Sequence, residues 1–355
     1  MVAVMLIIYH SIYIYMKLFI TLTCVIISDI VFACDFCGCF MGITPYDNQS
    51  SISMMYRYKS FNGYNYTSQN NSLFPQNYKT STNNSGQTNY LKHGSSGTQT
   101  TSLLSQNDYE LYTTAELRGK FFIHQRVELN AIIPFVMNSN QLDNEKETIQ
   151  GMGDVTFFSG FHLINKTMTE KFQHRLILGA GIKVPTGSCC KRNDEGERVD
   201  YLLQAGTGSL DYMAYVNYVF GYKKFGVNFN STYKMNGENK YHERMGNSTA
   251  NYLNIFYKFR QDKNLKIFPS IQGFYEYTNG EYIGDTYQAA TRMSSATAGI
   301  GIDVFFKNIS VNTLFSIPVY EKKIANNMAL AGKFLLGITY NFNQKKYLLK
   351  SKKES

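Results

Sequence analysis

The stretch Ala331-Gly-Lys-Phe-Leu-Leu-Gly-Ile-Thr-Tyr-Asn-Phe342 decides the fold class, because large apolar side chains occupy every second position of it. The apolar face comprises Phe334, Leu336, Ile338, Tyr340 and Phe342. The opposite face comprises Lys333, Gly337, Thr339 and Asn341, with Leu335 as a large apolar exception. Successive side chains of a β-strand point to opposite faces of the sheet. The stretch therefore predicts a strand with one face suited to lipid and the other suited to water.

The same period of two recurs over most of the chain. We identify about twelve such segments, and they are long enough for transmembrane strands, which need roughly 9–11 residues. The segments are 51–61, 107–120, 126–138, 152–164, 174–186, 208–222, 225–236, 249–260, 265–278, 294–306, 309–320 and 331–342.

The connections between these segments alternate in length. Short turns fall near 122–125, 223–224, 261–264 and 307–308, and long polar loops fall at 62–106, 139–150, 187–207, 237–248, 279–293 and 321–330. Outer-membrane barrels have short periplasmic turns, longer outside loops and an even number of strands. A closed sheet also satisfies every backbone group in lipid. The sequence therefore predicts an all-β fold, a transmembrane antiparallel β-barrel of about 12 strands over 51–342, spanning the lipid bilayer of the bacterial outer membrane.

A soluble β-sandwich is the alternative fold. It would explain the alternation, but it would not explain why the exposed face is the apolar one on nearly every strand. The composition favours the barrel, because only 17% of residues are charged and the chain holds 28 Tyr, 25 Phe and no Trp. Pairs such as Phe220 and Tyr222 cluster at strand ends, as interfacial girdles would require. A mean hydropathy of −0.27 excludes a bundle of membrane-spanning helices.

Residues 1–33 are predicted to be a cleaved secretory signal peptide. Lys17 supplies the positive charge, residues 18–27 form the apolar core, and Val31-Phe-Ala33 suits signal cleavage before Cys34. Met16 is then a plausible start, which makes residues 1–15 an upstream extension. A membrane anchor running from Met1 is the alternative.

The positive charge of the chain is concentrated at its C-terminus. Residues 343–355 carry a net charge of +4 out of the +9 of the whole chain. The remainder is spread thinly, so no nucleic-acid partner is expected. We expect a solvated basic tail in the periplasm.

The cysteines suggest chemistry outside the barrel wall. The segment 34–50 opens with Cys34-Asp-Phe-Cys37-Gly-Cys39, and thiolates at this spacing can share a soft metal ion or form a disulfide. Cys34 also follows a sequence resembling a lipobox, which would make it a lipidation site. The metal candidates are Cys34, Cys37 and Cys39, and the disulfide candidates are Cys37, Cys39, Cys189 and Cys190. For the adjacent pair Cys189-Cys190, a strained vicinal disulfide and free thiols both stay open. No other cofactor is expected.

Charged residues on the water-like faces are predicted to line the lumen. They are Arg57, Lys59, Glu116, Arg118, Glu128, Asp154, His162, Lys183, Asp211, Lys234, Glu276, Asp303 and Lys333. A mutually paired polar interior and a path for small solutes both fit this set. A membrane hydrolase using His162 and Asp154 is a third hypothesis, but no nucleophilic serine stands out. We therefore expect no enzyme.

Three further segments resemble a known family. They are Gly151-Met-Gly-Asp-Val-Thr-Phe-Phe, Gly181-Ile-Lys-Val-Pro-Thr-Gly187 and Gln204-Ala-Gly-Thr-Gly-Ser-Leu-Asp211, in this order. Together they resemble the outer-membrane transporter-like barrels named for the meta-pathway of phenol degradation. The opening cysteine segment resembles that of a Bacteroidota branch of the family.

The resemblance implies an outer-membrane channel or transporter for small organic molecules. This chain departs from the family pattern in two places: Ala205 replaces an expected Pro, and Cys189-Cys190 interrupt the following loop. The Pro-Thr-Gly and Gly-Thr-Gly-Ser elements flank the loop 187–207, where turn chemistry at the barrel rim and a binding role are both open. A structural or partner-binding barrel without an open pore is the alternative function.

Overall fold

The structure is a computed structural model that describes residues 49–64, 108–142, 145–169, 172–193, 196, 198–199, 201–262, 264–323 and 328–342. The predicted signal peptide, the N-terminal cysteines and the basic tail lie outside these residues. Within the described ranges, no helix is long and apolar enough to cross a membrane.

The described residues form β-strands and one short 3-10 helix, Ala289–Thr291. The strands are β1 (Ser50–Tyr64), β2 (Tyr109–His124), β3 (Val127–Leu142), β4 (Glu145–Met152), β5 (Val155–Thr169), β6 (Phe172–Val184), β7 (Asp211–Tyr222), β8 (Phe225–Met235), β9 (Glu243–Arg244), β10 (Ser248–Tyr257), β11 (Arg260–Gln261), β12 (Leu265–Thr278), β13 (Glu281–Ile283), β14 (Thr286–Gln288), β15 (Met293–Phe306), β16 (Ile309–Lys323) and β17 (Met328–Phe342).

Twelve of these strands form a closed antiparallel barrel. They are β1, β2, β3, β5, β6, β7, β8, β10, β12, β15, β16 and β17, each paired with its neighbours in chain order. Pairing of β1 with β17, from Ser50 opposite Phe342 to Tyr64 opposite Met328, closes the ring. The predicted fold class is confirmed, and this outer-membrane architecture leaves no strand edge within the wall.

The connections alternate in length as predicted, but several bounds differ. Two-residue turns join β2 to β3, β7 to β8 and β15 to β16. The predicted loops 139–150 and 321–330 are largely strand, because β3 continues to Leu142, β4 begins at Glu145 and β16 continues to Lys323. With 16 and 15 residues, β3 and β16 are longer than the roughly 9–11 residues that a bilayer requires. Beyond the bilayer the outer face no longer needs apolar residues, so the alternation fades although the backbone ladder continues.

The two faces of the barrel differ as the period of two predicts. Large apolar side chains on the outer face are exposed, including Met54 (63%), Ile271 (59%), Ile300 (68%) and Ile338 (53%). Polar side chains fill the inner face; those with at most 2% exposure include Asn138, His162, Asp211, Asn228, Asn230 and Glu276. The wall is therefore apolar outside and polar inside, which suits lipid around it and water within it.

Aromatic rings gather at the end of the barrel that carries the short turns. Phe172 and Tyr222 lie 4.8 Å apart between ring centroids, and Phe225 and Tyr257 lie 5.0 Å apart. All four lie at strand ends beside short connections, so the predicted clustering is confirmed at this end of the barrel. Tyr and Phe take the interfacial positions in a chain that has no Trp.

Large aromatic side chains also occupy part of the lumen. Phe256, Phe268 and Phe305 form one buried cluster, and Tyr215 belongs to another. Glycines on neighbouring strands make the space: a Cβ on Gly226 would lie 2.0 Å from the Phe256 ring, and one on Gly179 would lie 2.1 Å from the Tyr215 ring. Gly179 and Gly226 therefore leave room for the large aromatic side chains of neighbouring strands.

Replacing Ile300 by Arg tests the orientation of the wall. Ile300 is 68% exposed in the middle of β15, so the substitution would place a charge in the hydrocarbon layer. We expect a loss of about 2–4 kcal/mol in the free energy of unfolding from lipid vesicles. Ile300→Val is the control, and equal stability of the Arg variant would place this face outside lipid.

Candidate functional site: an inward-folded loop and the charged lumen

The described part of the loop between β6 and β7, residues 185–193, 196, 198–199 and 201–210, packs into the long-loop end of the lumen. Val199 and Leu203 form a buried cluster with Ile149 of β4. The side chain of Asn138, which is fully buried on β3, donates a 2.8 Å hydrogen bond to the Leu203 carbonyl. The expectation of a polar rim loop is therefore only partly correct. The apolar residues within the loop draw it inward, because they lose contact with water there.

The three segments that carry the family resemblance meet at this loop. A Cβ on Gly187 would lie 2.7 Å from the Gly153 backbone, and one on Gly206 would lie 2.8 Å from the Gly187 backbone. Each glycine thus allows two backbones to approach more closely than any side chain permits. This close packing explains why glycine recurs in all three segments.

Asp154 is the centre of the junction. Its carboxylate accepts hydrogen bonds from Lys183 Nζ at 2.9 Å, from the Gly187 N–H at 2.9 Å, and from the Thr207 N–H and hydroxyl at 2.8 and 2.9 Å. Lys183 Nζ also donates to the Thr207 hydroxyl. One carboxylate therefore joins β6 and both ends of the loop to the barrel wall.

The charges continue from this junction along the wall. Lys183 Nζ lies 2.8 Å from Asp211 Oδ2, and Lys234 Nζ lies 3.0 Å from the same oxygen. The Ser209 hydroxyl donates to Asp211 Oδ1 at 2.8 Å. Asp154, Lys183, Asp211 and Lys234 thus form a chain of alternating sign, and we call it the charge chain. Burial of four charges is tolerable because each faces an opposite one.

Five other candidates form two separate groups. Glu116 of β2 forms ion pairs with both Arg57 and Arg118. On the next part of the wall, His162 Nε2 lies 3.1 Å from Glu128 Oε2, and both residues are buried. The predicted lumen residues are therefore largely paired with one another, although they do not gather at one site.

Three further candidates have different surroundings. Asp303 accepts a 2.6 Å hydrogen bond from Asn312 Nδ2. The Lys333 ammonium lies 4.4 Å from the centroid of the Phe274 ring. Glu276 is 1% exposed, and neither of its carboxylate oxygens has a hydrogen-bond partner among the described residues.

The hydrolase hypothesis gains no support from the arrangement of His162 and Asp154. His162 pairs with Glu128, whereas Asp154 bonds to Lys183 and to the loop. The Ser209 hydroxyl, which adjoins this network, donates to Asp211 rather than to a histidine. In the described part of the chain these groups therefore do not form a serine–histidine–carboxylate relay.

A cavity of about 110 Å³ lies at the short-turn end of the lumen. Strands on most sides of the barrel contribute to it, and its polar lining includes Arg118, Lys120, Glu128, Asn130, Arg175, Asn217, Asn228, Asn312 and Asn341. Lys120 and Arg175 are not among the lumen residues predicted from the sequence. Their position in the alternation, two residues from Arg118 and from Ile177, could have placed them on the inner face.

The cysteine candidates divide between described and undescribed parts of the chain. Cys189 and Cys190 are free thiols in the described residues, and both are partly buried. Cys34, Cys37 and Cys39 lie outside the described residues, so their metal, lipid and disulfide hypotheses stay predictions. Within the described ranges, no three His, Cys, Asp or Glu side chains are placed to hold a metal ion.

Comparison with known proteins supports the fold. No family model matches the sequence, and no curated protein is significantly similar to it. Among solved structures, an outer membrane channel from Pseudomonas putida F1 is 14% identical, with a TM-score of 0.57 over 87% of this chain and 100% of that one.

Two autotransporter barrels are also similar, at lower TM-scores. The β domain of the Bordetella autotransporter BrkA is 8% identical, with a TM-score of 0.44 over 83% of this chain and 100% of that one. The transport unit of AIDA-I from Escherichia coli is 12% identical, with a TM-score of 0.43 over 86% and 94%. At these sequence identities the similarity shows a shared fold and nothing finer. The evidence for the shared fold is the Pseudomonas channel, with its TM-score of 0.57.

Replacing Asp154 by Asn tests whether the junction holds the loop. The variant loses the charge that attracts Lys183 and weakens the bonds from Gly187 and Thr207. Hydrogen bonds to charged groups contribute about 1.5–3 kcal/mol each, so we expect loop opening to become at least roughly tenfold more frequent. Limited proteolysis within 185–210 measures it.

Asp303→Asn is the matched control, since it neutralises a buried carboxylate far from the loop in sequence and bonded to Asn312 instead. Equal cleavage rates for the two variants would show that Asp154 does not anchor the loop.

Proposed function

We propose that the protein is an outer-membrane channel or transporter for small polar or organic solutes. The observation that carries this proposal is the polar lumen: a closed twelve-stranded wall surrounds an inner face of charged and amide side chains. A barrel that served only as a membrane anchor would have no need of so many buried polar groups, since each must find a partner or water.

The cavity at the short-turn end supports a small solute. Its volume is about 110 Å³, which limits the solute to a small molecule. The lining combines the cations Arg118, Lys120 and Arg175 with Glu128 and several asparagine amides, so it offers both donors and acceptors with an excess of positive charge. A polar or anionic solute with acceptor oxygens fits this lining.

The loop 185–210 lies between this cavity and the long-loop end of the barrel. We infer that the loop narrows the lumen here, so that passage of a solute depends on the position of the loop. The charge chain is where such movement would begin, because the loop is bonded to the wall at Asp154, Lys183 and Asp211. In some outer-membrane barrels the lumen is plugged by loops or by a helix, whereas porins keep a water-filled channel.

A closed structural barrel is the second candidate function. The observation that favours it is the filling of the lumen by the loop and by Phe256, Phe268 and Phe305. In that case the N-terminal cysteines, rather than the lumen, would bind a metal ion or partner. Mass spectrometry of the mature N-terminus would test lipidation of Cys34, and an unmodified residue would exclude it.

Conductance in planar lipid bilayers tests the channel proposal. We expect the purified protein to give small, discrete conductance steps. Asn228→Phe should lower the step size by about half or more, because Asn228 lines the cavity and a phenyl ring would occupy it.

Val227→Phe is the matched control, because Val227 alternates with Asn228 and points to the other face of β8. If neither the unmodified protein nor the Asp154→Asn variant conducts, the channel proposal is contradicted and the closed barrel is favoured. Equal conductance of both Phe variants would place the solute path elsewhere.

A further inference from the structure

A buried carboxylate without a protein partner lies on the inner face of β12, near the long-loop end of the barrel. Glu276 is 1% exposed, and neither Oε1 nor Oε2 accepts a hydrogen bond from any described residue. Other lumen carboxylates differ, since Asp154 and Asp211 pair with lysines and Glu128 pairs with a histidine. A buried charge without a partner is costly, so Glu276 needs a counter-charge from outside the protein or must lose its own charge.

The Thr278 hydroxyl is a second buried oxygen of this kind. Thr278 is 4% exposed, and its Oγ1 has no hydrogen-bond partner among the described residues. Glu276 and Thr278 are two residues apart on β12, so their side chains point to the same face of the sheet. Three oxygen atoms that lack protein partners therefore project into the lumen from adjacent positions of one strand.

Short side chains flank these two residues on the neighbouring strands. Ala250 of β10 and Ser295 of β15 lie directly opposite Glu276, and Ser248 of β10 lies opposite Thr278. Residues directly opposite on one face of an antiparallel pair have Cβ atoms about 4.5–5.5 Å apart. The two serines therefore place further hydroxyl oxygens around the carboxylate.

Two lysines in this part of the lumen interact with other groups. The Lys333 ammonium lies 4.4 Å from the centroid of the Phe274 ring, which is two residues before Glu276 on the same face. Lys234 Nζ lies 3.0 Å from Asp211 Oδ2. Neither ammonium donates a hydrogen bond to the Glu276 carboxylate, whose oxygens have no partner in the described part of the chain.

A second carboxylate adds negative charge beside Glu276. Glu321 of β16 lies directly opposite Ser295, on the side of β15 away from β12. Its Oε2 accepts a 3.2 Å hydrogen bond from the Leu330 N–H. Carboxylates thus lie on both strands that flank Ser295, and their combined potential favours a cation in this part of the lumen.

The chemistry of these groups selects a hard cation of single charge. Carboxylate and hydroxyl oxygens are the ligands that hard cations prefer, whereas thiolates and imidazoles suit softer metal ions. Within the described ranges, no three His, Cys, Asp or Glu side chains are placed to hold a metal ion, so a divalent site with several carboxylates is not formed there. One carboxylate without a partner matches one positive charge.

We propose that Glu276 and Thr278 bind a small monovalent cation at the long-loop end of the lumen. The carboxylate oxygens and Thr278 Oγ1 are its protein ligands, and the cation replaces the partner that the barrel wall does not supply. Ser248 and Ser295 are the further oxygen donors on the neighbouring strands. Binding here does not require the lumen to conduct, so the site can be tested whether or not the channel proposal is correct.

Cation-dependent thermal stability tests the site on the purified full-length protein in detergent. Na⁺, K⁺ and methylammonium are titrated separately at constant ionic strength against choline, a bulky cation, and heat-dependent gel mobility gives the unfolding midpoint. A ligand that binds only the folded protein raises this midpoint. We expect a saturable rise with at least one of the three cations.

The three titrations distinguish the source of the positive charge. A rise with Na⁺ or K⁺ alone assigns the site to an inorganic ion, and a rise with methylammonium assigns it to the ammonium group of an organic solute. No rise with any of them would overturn the proposal and indicate that Glu276 is protonated.

Glu276→Gln tests the carboxylate, because it removes the charge and keeps the size of the side chain. We expect the cation concentration at half effect to rise at least about tenfold. In choline alone the midpoint should be no lower than that of the unmodified protein, since the variant has no unpaired buried charge. Asp303→Asn is the matched control, because Asp303 is a buried lumen carboxylate that already has a partner in Asn312. Equal cation responses of Glu276→Gln and the unmodified protein would overturn the proposal.

Thr278→Val is a second test that leaves the charge unchanged. It removes only the hydroxyl ligand, so we expect binding to weaken about threefold or more. Thr232→Val is the control, because the Thr232 hydroxyl donates a 3.1 Å hydrogen bond to Asn230, and its cation response should match that of the unmodified protein. An unchanged response in Thr278→Val would contradict the proposed ligands, and this result can be obtained even if Glu276→Gln does not fold.

Discussion

Hydrogen bonding of the backbone within lipid is the constraint on which the rest of this structure depends. Every N–H and C=O group in the wall must have a partner because the hydrocarbon layer supplies none. Pairing of β1 with β17 meets this requirement by removing the last free edges of the sheet. Once the ring is closed, alternate side chains must face lipid or lumen, and the chemistry of both faces follows from this division.

Closure creates a second problem inside the barrel, where buried charges need partners. The charge chain solves it for Asp154, Lys183, Asp211 and Lys234 by alternating their signs. The same chain fixes the loop 185–210, because Asp154 and Asp211 accept hydrogen bonds from loop and neighbouring backbone groups. Neutralising the lumen and holding its loop are therefore two results of one set of contacts.

The period of two was sufficient to predict the strands within the bilayer. It was less reliable at the long-loop end, where the strand Glu145–Met152 overlaps the predicted loop 139–150 over residues 145–150. There the outer face no longer contacts lipid, so nothing forces the apolar alternation that identified the other strands. Lys120 and Arg175 were missed although the alternation continues to them, since they lie two residues from Arg118 and from Ile177.

The sequence by itself determined the class of fold, because side-chain alternation and connection length can be seen directly in the order of residues. The alternation is regular because one face of each strand must be apolar to contact lipid. It also singled out the three glycine-containing segments without showing why they occur together. Only the tertiary structure decided which charges pair, since Asp154, Lys183 and Thr207 are far apart in sequence and meet through strand register and loop packing.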